Sequence, residues 1–103
     1  MDHRLLLYFT TLIDKGTFTN AAKKLHISQP SLSSAIKKLE DNVGLTLIER
    51  HTRKISLTVE GEILYQEAKK LLNHFEHVQK EMTRLKKEGP LELKIGLIES
   101  VKF

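Results

Sequence analysis

One stretch of the chain carries small polar side chains at a spacing suited to contacting DNA bases. A predicted helix exposes Gln29, Ser31, Ser33 and Ser34, with Lys37 one turn further along. A helix fits a major groove ~12 Å wide only if its outward side chains are short enough to approach the base edges. Gln29 can form a bidentate pair with adenine, and Lys37 can reach a phosphate. The pattern predicts a DNA-reading helix.

A basic cluster follows this helix, between two short apolar segments at 47–48 and 55–57. Its members are Arg50, His51, Arg53 and Lys54. Two short apolar segments around a charged tip predict a β-hairpin. Its basic side chains would lie beside the DNA backbone or in the adjacent minor groove, where such contacts set register and affinity.

The polar face could instead be an ordinary solvated helix surface. Two observations argue against that interpretation. Serine is a poor residue for a freely exposed helix surface, where Glu, Lys and Gln are better helix formers. The face also follows a short capped helix and precedes the basic hairpin, so three features agree.

The elements that position this face can be read from apolar periodicity. Leu5, Phe9 and Leu12 recur at helical spacing in a first helix that Gly16 ends. Thr17 is the expected N-cap of a short second helix that runs to Leu25.

A third helix follows a tight connection at residues 26–27. Ser28 is its expected N-cap, and Pro30 is tolerated in the first turn. Its apolar positions are Leu32, Ile36, Leu39 and Val43. Gly44 ends it, and Thr58 begins a fourth helix after the hairpin. A short helix, a three-residue turn and a polar-faced second helix together describe a helix-turn-helix.

Two ordered segments resemble the signature of the LysR-type transcriptional regulators: GTFTNAA at 16–22 and LHISQPSLS at 25–33. The match covers about residues 3–65 and extends through Arg50, Arg53 and Gly61. The resemblance implies a winged helix-turn-helix whose third helix reads the major groove and whose hairpin wing contacts flanking DNA. Two positions depart from the family pattern: Ile48 stands where Phe is usual, and Ser34 where many members carry a long polar or basic side chain.

The resemblance also assigns DNA contacts residue by residue. In the third helix these fall on Gln29, Pro30, Ser31, Ser33 and Ser34, and at the wing on Arg50 and Arg53. Lys54 is predicted to contact DNA only as a member of the basic cluster. Weaker candidates for phosphate contact are Thr17, Thr19 and Ser28.

The fourth helix carries a heptad seam. Spacings of four and three alternate along Leu64, Ala68, Leu71, Phe75, Val78, Met82 and Leu85. The seam could pack on the chain's own first domain, and Ile63 and Leu72 could widen the stripe there. That domain is too small to cover a helix of about 40 Å, which favours a partner chain. The resemblance implies an antiparallel homodimer through this linker helix, and a tetramer for the full-length protein.

Charge and composition fit this interpretation. The chain has 103 residues and a net charge of +4; residues 1–57 hold nine Lys and Arg against five Asp and Glu, and the remainder is balanced. The excess positive charge is thus confined to the half expected to meet a polyanion. No long apolar run or signal peptide is evident, so we expect a cytoplasmic protein.

Other chemistries find little support. There is no cysteine, no glycine-rich phosphate loop and no nucleophile–base pair, so we expect neither an enzyme nor a cofactor. His74 and His77 are three residues apart but lack a further ligand for a metal site. Two alternatives remain: a coiled-coil adaptor with a protein-docking head, and a winged-helix regulator of another family.

We therefore predict a mainly α fold in three parts: a winged helix-turn-helix domain at 1–58, a linker and dimerisation helix at 59–88, and a first strand of a regulatory domain at 89–103. The last segment alternates apolar and other residues from Leu91, as a strand does. In the resembling family this strand opens an effector-binding domain. The chain stops at Phe103, so we expect that domain, and its small-molecule effector site, to be missing here.

Overall fold

The computed structural model describes residues 1–51 and 54–89, and this part of the chain contains four helices and one β-hairpin. The elements, in order, are α1 (His3–Lys15), α2 (Phe18–Leu25), α3 (Gln29–Val43), β1 (Ile48–Arg50), β2 (Ile55–Leu57) and α4 (Val59–Glu88). This order confirms the mainly helical, winged helix-turn-helix architecture. The strand predicted from Leu91 lies outside the described residues.

The helix ends lie where the sequence places them. Gly16 follows α1 with φ 82°, and Gly44 follows α3 with φ 73°, both in the left-handed region that glycine adopts without a steric cost. Thr17 caps α2 by accepting the Asn20 N–H at 3.1 Å. Ser28 caps α3 by accepting the Ser31 N–H at 3.2 Å. The sequence had not suggested the cap of α1, where Asp2 accepts the Leu5 N–H.

The connection between α2 and α3 turns sharply at His26. This residue has φ 59°, the one positive φ of a non-glycine residue in the described chain. Its N–H bonds to the Lys23 carbonyl at 3.2 Å, and the Ile27 N–H bonds to the Ala22 carbonyl at 3.0 Å. These bonds satisfy carbonyls at the end of α2 and direct the chain into α3 after two residues.

The core lies where α1, α2 and α3 meet. Phe9 and Leu12 of α1 are fully buried, as are Leu32, Ile36 and Leu39 of α3. The small residues Ala21 and Ala22 of α2 are also buried, so α2 can approach its neighbours closely. This packing fixes the angle between α2 and α3 and thereby the direction of the polar face of α3.

The hairpin is longer than predicted. Glu49 and Arg50 were expected in the charged tip, but they belong to β1, because the antiparallel register pairs Ile48 with Leu57, Glu49 with Ser56 and Arg50 with Ile55. β1 therefore ends at Arg50, and β2 begins at Ile55. Ile48, which stands where Phe is usual in the resembling family, is buried, so we expect this departure to alter packing beneath the wing.

The first turn of α4 contacts the segment that connects α3 to β1. Thr58 begins the helix as predicted: its hydroxyl accepts the Gly61 N–H at 2.9 Å and donates to the Thr46 carbonyl at 2.7 Å. Gly61 is buried against the backbone of Leu47, and a Cβ there would lie 1.9 Å from the Leu47 carbonyl oxygen. Only glycine fits this contact without a backbone shift.

The chain divides into two compact units, Met1–Leu72 and Asn73–Phe103. The first contains the winged domain together with the beginning of α4. In the second, the described residues continue α4 to Glu88, where Arg84 pairs with Glu81 at 3.0 Å and with Glu88 at 3.6 Å.

Candidate nucleic-acid interface

The outward face of α3 carries the side chains predicted to contact bases. One side of α3 is buried in the core through Leu32, Ile36 and Leu39. Exposed on the other side are Gln29, Pro30, Ser31, Ser34 and Lys37, while Ser33 is half-buried. The face thus presents short polar groups at its start and one long cation a turn later, an arrangement that fits a helix placed in a groove.

Two serines form hydrogen bonds with each other at the start of α3. The Ser28 hydroxyl donates to the Ser31 hydroxyl at 2.8 Å while it accepts the Ser31 N–H. Ser28 therefore shapes the beginning of the helix, and its hydroxyl proton is already used within the chain. Gln29 lies between the two serines, in the first turn, with its side chain exposed.

The two edges of α3 contact different parts of the molecule. On one edge, a Glu40 carboxylate oxygen accepts the Leu47 N–H at 2.8 Å and the Ile48 N–H at 3.3 Å. On the other edge, the Met1 amine donates to Asn42 at 2.8 Å. One edge is thus the wing edge, held to the segment that enters β1, and the other is the α1 edge.

A cleft of about 370 Å³ lies between the beginning of α2 and the wing. Four residues predicted from separate parts of the sequence line it together: Thr17, Thr19, Arg50 and Lys54. The cleft therefore combines two cations with the N-terminus of α2, whose unpaired N–H groups favour a negative charge. Such a cleft can hold a DNA phosphate.

Phe18 contributes to this cleft in a way the sequence did not show. The Arg50 guanidinium carbon lies 5.1 Å from the centroid of the Phe18 ring. This cation–π contact orients the Arg50 side chain. Apolar periodicity alone predicts only that Phe18 belongs to the buried face of α2. Its position directly after the cap, across from a basic wing, was the available signal.

The tip of the wing is only partly described. His51 lies 3.1 Å from the Ser56 hydroxyl, and its backbone N–H bonds to the Lys54 carbonyl at 2.9 Å. Lys54 is exposed. Arg53, predicted to contact DNA, lies outside the described residues, and its role stays a prediction.

The seam of α4 divides into a covered part and an exposed part. Ala68 is 1% exposed and belongs to the core, and Leu64 packs against that core, so both serve their own domain. Leu71 is 56% exposed and Phe75 46% exposed, and Val78 and Met82 are also exposed; Leu85 is half-buried. The seam that a partner could contact therefore begins at Leu71.

Polar contacts also hold the beginning of α4 to α1. Tyr65 donates a hydrogen bond to Asp14, and the Lys69 ammonium lies 3.0 Å from the other Asp14 carboxylate oxygen.

The expectation that Ile63 packs on the winged domain is wrong: Ile63 is 61% exposed, because Leu64 and Tyr65 occupy the side of the helix that faces the core.

This cluster shifts the pKa of each of its members. Partial burial tends to raise the pKa of Asp14, but the hydrogen bonds from Tyr65 and Lys69 outweigh it and hold that pKa below its ordinary value. The hydrogen bond to Asp14 raises the pKa of Tyr65 and that of Lys69. All three groups are thus stabilised in their neutral-pH forms.

His74 and His77, the histidine pair considered for a metal site, are neighbours on α4. The His74 and His77 rings stack with centroids 5.9 Å apart, but no group of three or more His, Cys, Asp or Glu side chains in the described part of the chain is placed to hold an ion. No helix within residues 1–51 and 54–89 is both long and apolar enough to span a bilayer.

Comparison with known proteins decides the family. Residues 3–62 match the model of the bacterial regulatory helix-turn-helix proteins of the lysR family. The chain belongs to the LysR family. One LysR-family relative, the HTH-type transcriptional regulator BsdA of Bacillus subtilis (strain 168), is 42% identical over 97 residues, which are 93% of this chain and 33% of BsdA. The chain thus spans about a third of the length of such relatives.

Solved structures of LysR-family proteins share the fold. A crystal structure of the BenM DBD in complex with catB site 1 DNA superposes with a TM-score of 0.80 at 40% identity, covering 82% of this chain and 94% of that one. A CbnR DBD–DNA complex gives a TM-score of 0.76 at 32% identity, covering 81% and 95%. Both comparisons confirm the winged helix-turn-helix assignment.

Proposed function

We propose that this chain binds double-stranded DNA in a sequence-specific manner and serves as the DNA-reading part of a bacterial transcription regulator. The exposed, short-chained polar face of α3, beside the basic cleft of Thr17, Arg50 and Lys54, carries the proposal. The 40% identity to a chain solved in complex with DNA supports it. We place the protein in the cytoplasm, where a bacterial regulator meets DNA.

The proposal includes a homodimer that binds a dyad-symmetric operator. Exposed apolar side chains at Leu71, Phe75, Val78 and Met82 follow the heptad spacing of helices that pair. A dimer would set two α3 helices about one DNA turn apart, ~34 Å, or a multiple of that distance. The resemblance further suggests a tetramer and a separate effector-binding domain for the full-length regulator.

Selection from a random duplex library tests the function. The 103-residue chain is used to enrich bound duplexes over several rounds, and the affinity of the enriched sequence is then measured against salt concentration. We expect an inverted repeat, since a symmetric dimer reads symmetric half-sites. We also expect log K to fall linearly with log salt concentration, because phosphate contacts release counterions.

Two results would contradict DNA reading by this chain, and a third would contradict the dimer alone. Enrichment without any preferred sequence would leave only nonspecific attraction between a basic domain and DNA. Absence of salt-dependent binding would favour the adaptor, whose first domain docks on a protein. A single, non-repeated motif would retain base reading but argue against the dimer.

A further inference from the structure

A second basic cleft lies on the α1 edge of α3. It has a volume of about 510 Å³, and its lining includes Arg4 and Tyr8 from α1 and Ser31, Ser34 and Lys38 from α3. Arg4, Tyr8 and Lys38 are not among the residues predicted from the sequence to contact DNA. Ser31 and Ser34, however, belong to the exposed face predicted to contact bases, so this cleft borders that face directly.

Two cations in this cleft are presented to solvent. The Arg4 guanidinium carbon lies 5.6 Å from the centroid of the Tyr8 ring, and stacking of this kind holds a guanidinium while its N–H groups stay free to donate in the plane. Lys38 is exposed on α3. None of the described residues that line the cleft carries a carboxylate. The neighbouring Asp2 carboxylate accepts the Leu5 N–H at 2.8 Å as the cap of α1.

The three hydroxyl-bearing or charged α3 residues of the cleft follow one edge of the helix. Ser31, Ser34 and Lys38 are spaced by three and four residues, which places them one above another. Asn42, four residues beyond Lys38, lies on the same edge and accepts a hydrogen bond from the Met1 amine. The wing edge, marked by Glu40, is a different edge of the helix.

A helix in the major groove lies between two phosphate backbones, because the groove is bounded by both DNA strands. The cleft of Arg50 and Lys54 lies beside the wing. The geometry points to the cleft of Arg4 and Lys38 as a second phosphodiester site, which binds the DNA backbone on the α1 edge of α3. This inference rests on the proposed function. Arg4 and Lys38 contact the phosphate oxygens, and the hydroxyls of Ser31 and Ser34 are placed to donate beside them. α3 is thereby anchored along both edges.

Neutralising substitutions test this site. Lys38→Gln and Arg4→Gln each remove one positive charge from the cleft, and both side chains are exposed, so the fold is retained and can be checked by circular dichroism. Lys80→Gln, on the exposed surface of α4, removes the same charge elsewhere and is the matched control. The probe is the duplex enriched by the wild-type chain, and affinity is followed by fluorescence anisotropy over a range of salt concentrations.

We expect either cleft substitution to flatten the dependence of log K on log salt concentration by about 0.9 per cation lost, hence about 1.8 for a dimer, with no change for Lys80→Gln. The loss of affinity should be the same factor on every operator variant, because phosphates carry no sequence information. A methylphosphonate that replaces, in each half-site, the phosphate bound in this cleft should lower the DNA affinity of the wild type. On that duplex the wild type and Lys38→Gln should bind with equal affinity.

The contrary results separate the two proposals. Steep, specific binding by the wild type with unchanged slopes for Lys38→Gln and Arg4→Gln overturns this site alone. Inorganic phosphate that perturbs the Arg4 and Lys38 resonances while the DNA slopes stay unchanged also overturns it, and identifies a free-anion site instead. A wild-type chain that binds no duplex overturns the proposed function and this site together.

Discussion

Gln29 begins α3 with its side chain exposed, held between the hydrogen-bonded Ser28 and Ser31. A side chain in the first turn of a helix that enters a groove is among the first to reach the bases. Its amide can donate to and accept from one base edge at the same time, which matches adenine. Gln29 is therefore the residue from which we expect the strongest base preference.

Replacing Gln29 with Ala should cost about 1–3 kcal/mol of binding and relax the preference at one base position, because a bidentate pair is lost. Affinities for a panel of single-base operator variants would show this. Lys37→Ala is the comparison, since loss of a phosphate contact weakens every variant alike. Equal losses on all variants for Gln29→Ala would contradict base reading by this side chain.

We expect Phe18 to affect DNA binding through its contact with Arg50. Phe18→Leu should weaken DNA binding by about 0.5–1 kcal/mol, the size of an exposed cation–π contact, because the guanidinium loses the ring that directs it. A double-mutant cycle with Arg50→Ala measures the coupling. In the Arg50→Ala background the change at Phe18 should have no further effect on affinity. An undiminished effect there would mean that Phe18 contributes only through packing.

The contact between α4 and the segment that enters the hairpin depends on Gly61. Gly61→Ala should reduce the free energy of unfolding by about 1–3 kcal/mol, since the added methyl group overlaps the Leu47 carbonyl. Urea denaturation of the purified chain measures it. Gln66→Ala, at an exposed position of the same helix, should stay within about 0.5 kcal/mol of the wild type. Equal stability of the two variants would rule out the tight contact.

The contacts of Asp14 with Tyr65 and Lys69 give the join between α1 and α4 a pH dependence. Because the pKa of Asp14 is below its ordinary value of 3.8 in the folded chain, its contribution is present above pH 3.8 and is lost as the pH falls through the folded pKa. The pKa of Lys69 is raised above 10.5, so its contribution is present below that pH and is lost as the pH rises through the folded pKa.

Asp14→Asn should therefore be less stable than the wild type at neutral pH, and the difference should disappear in acid below pH 3.8. The effect is small, because the Asp14 and Lys69 side chains are both more than a third exposed and solvent screens their interaction. Urea midpoints between pH 3 and pH 7 test it. Asp41→Asn, at an exposed position of α3, is the control. A difference that persists unchanged in acid would assign the effect to something other than the charge.

The sequence predicted the elements better than their contacts. Caps at Thr17, Ser28 and Thr58 and stops at Gly16 and Gly44 are local choices of the backbone, so short segments reveal them. The length of the hairpin is not local, since it depends on the cross-strand partners of Glu49 and Arg50. The stacking of Arg50 on Phe18 and the cleft at Arg4 and Lys38 join segments far apart in the chain, and apolar periodicity does not report such contacts.

We expect the exposed seam of α4 to hold two chains together. Leu71→Glu combined with Phe75→Glu should yield monomers, because two buried charges would face the partner helix without compensation. Ile63→Glu changes an equally exposed apolar residue outside the seam and should remain dimeric. Sedimentation equilibrium distinguishes the two. A dimer that survives the seam substitutions would refute pairing through these residues.

The burial of Ala68 bears on how such regulators exchange parts. Ala68 and Leu64 complete the core of the first compact unit, which runs to Leu72 and thus includes the beginning of α4. A recombination crossover at the end of the hairpin would exchange those two side chains along with everything after them and leave a mismatched core. A crossover just after Leu72 would transfer the first compact unit intact, and this unit is called the head below. Chimeras joined there should inherit the operator preference of the head they receive, and those joined at Thr58 should fold poorly.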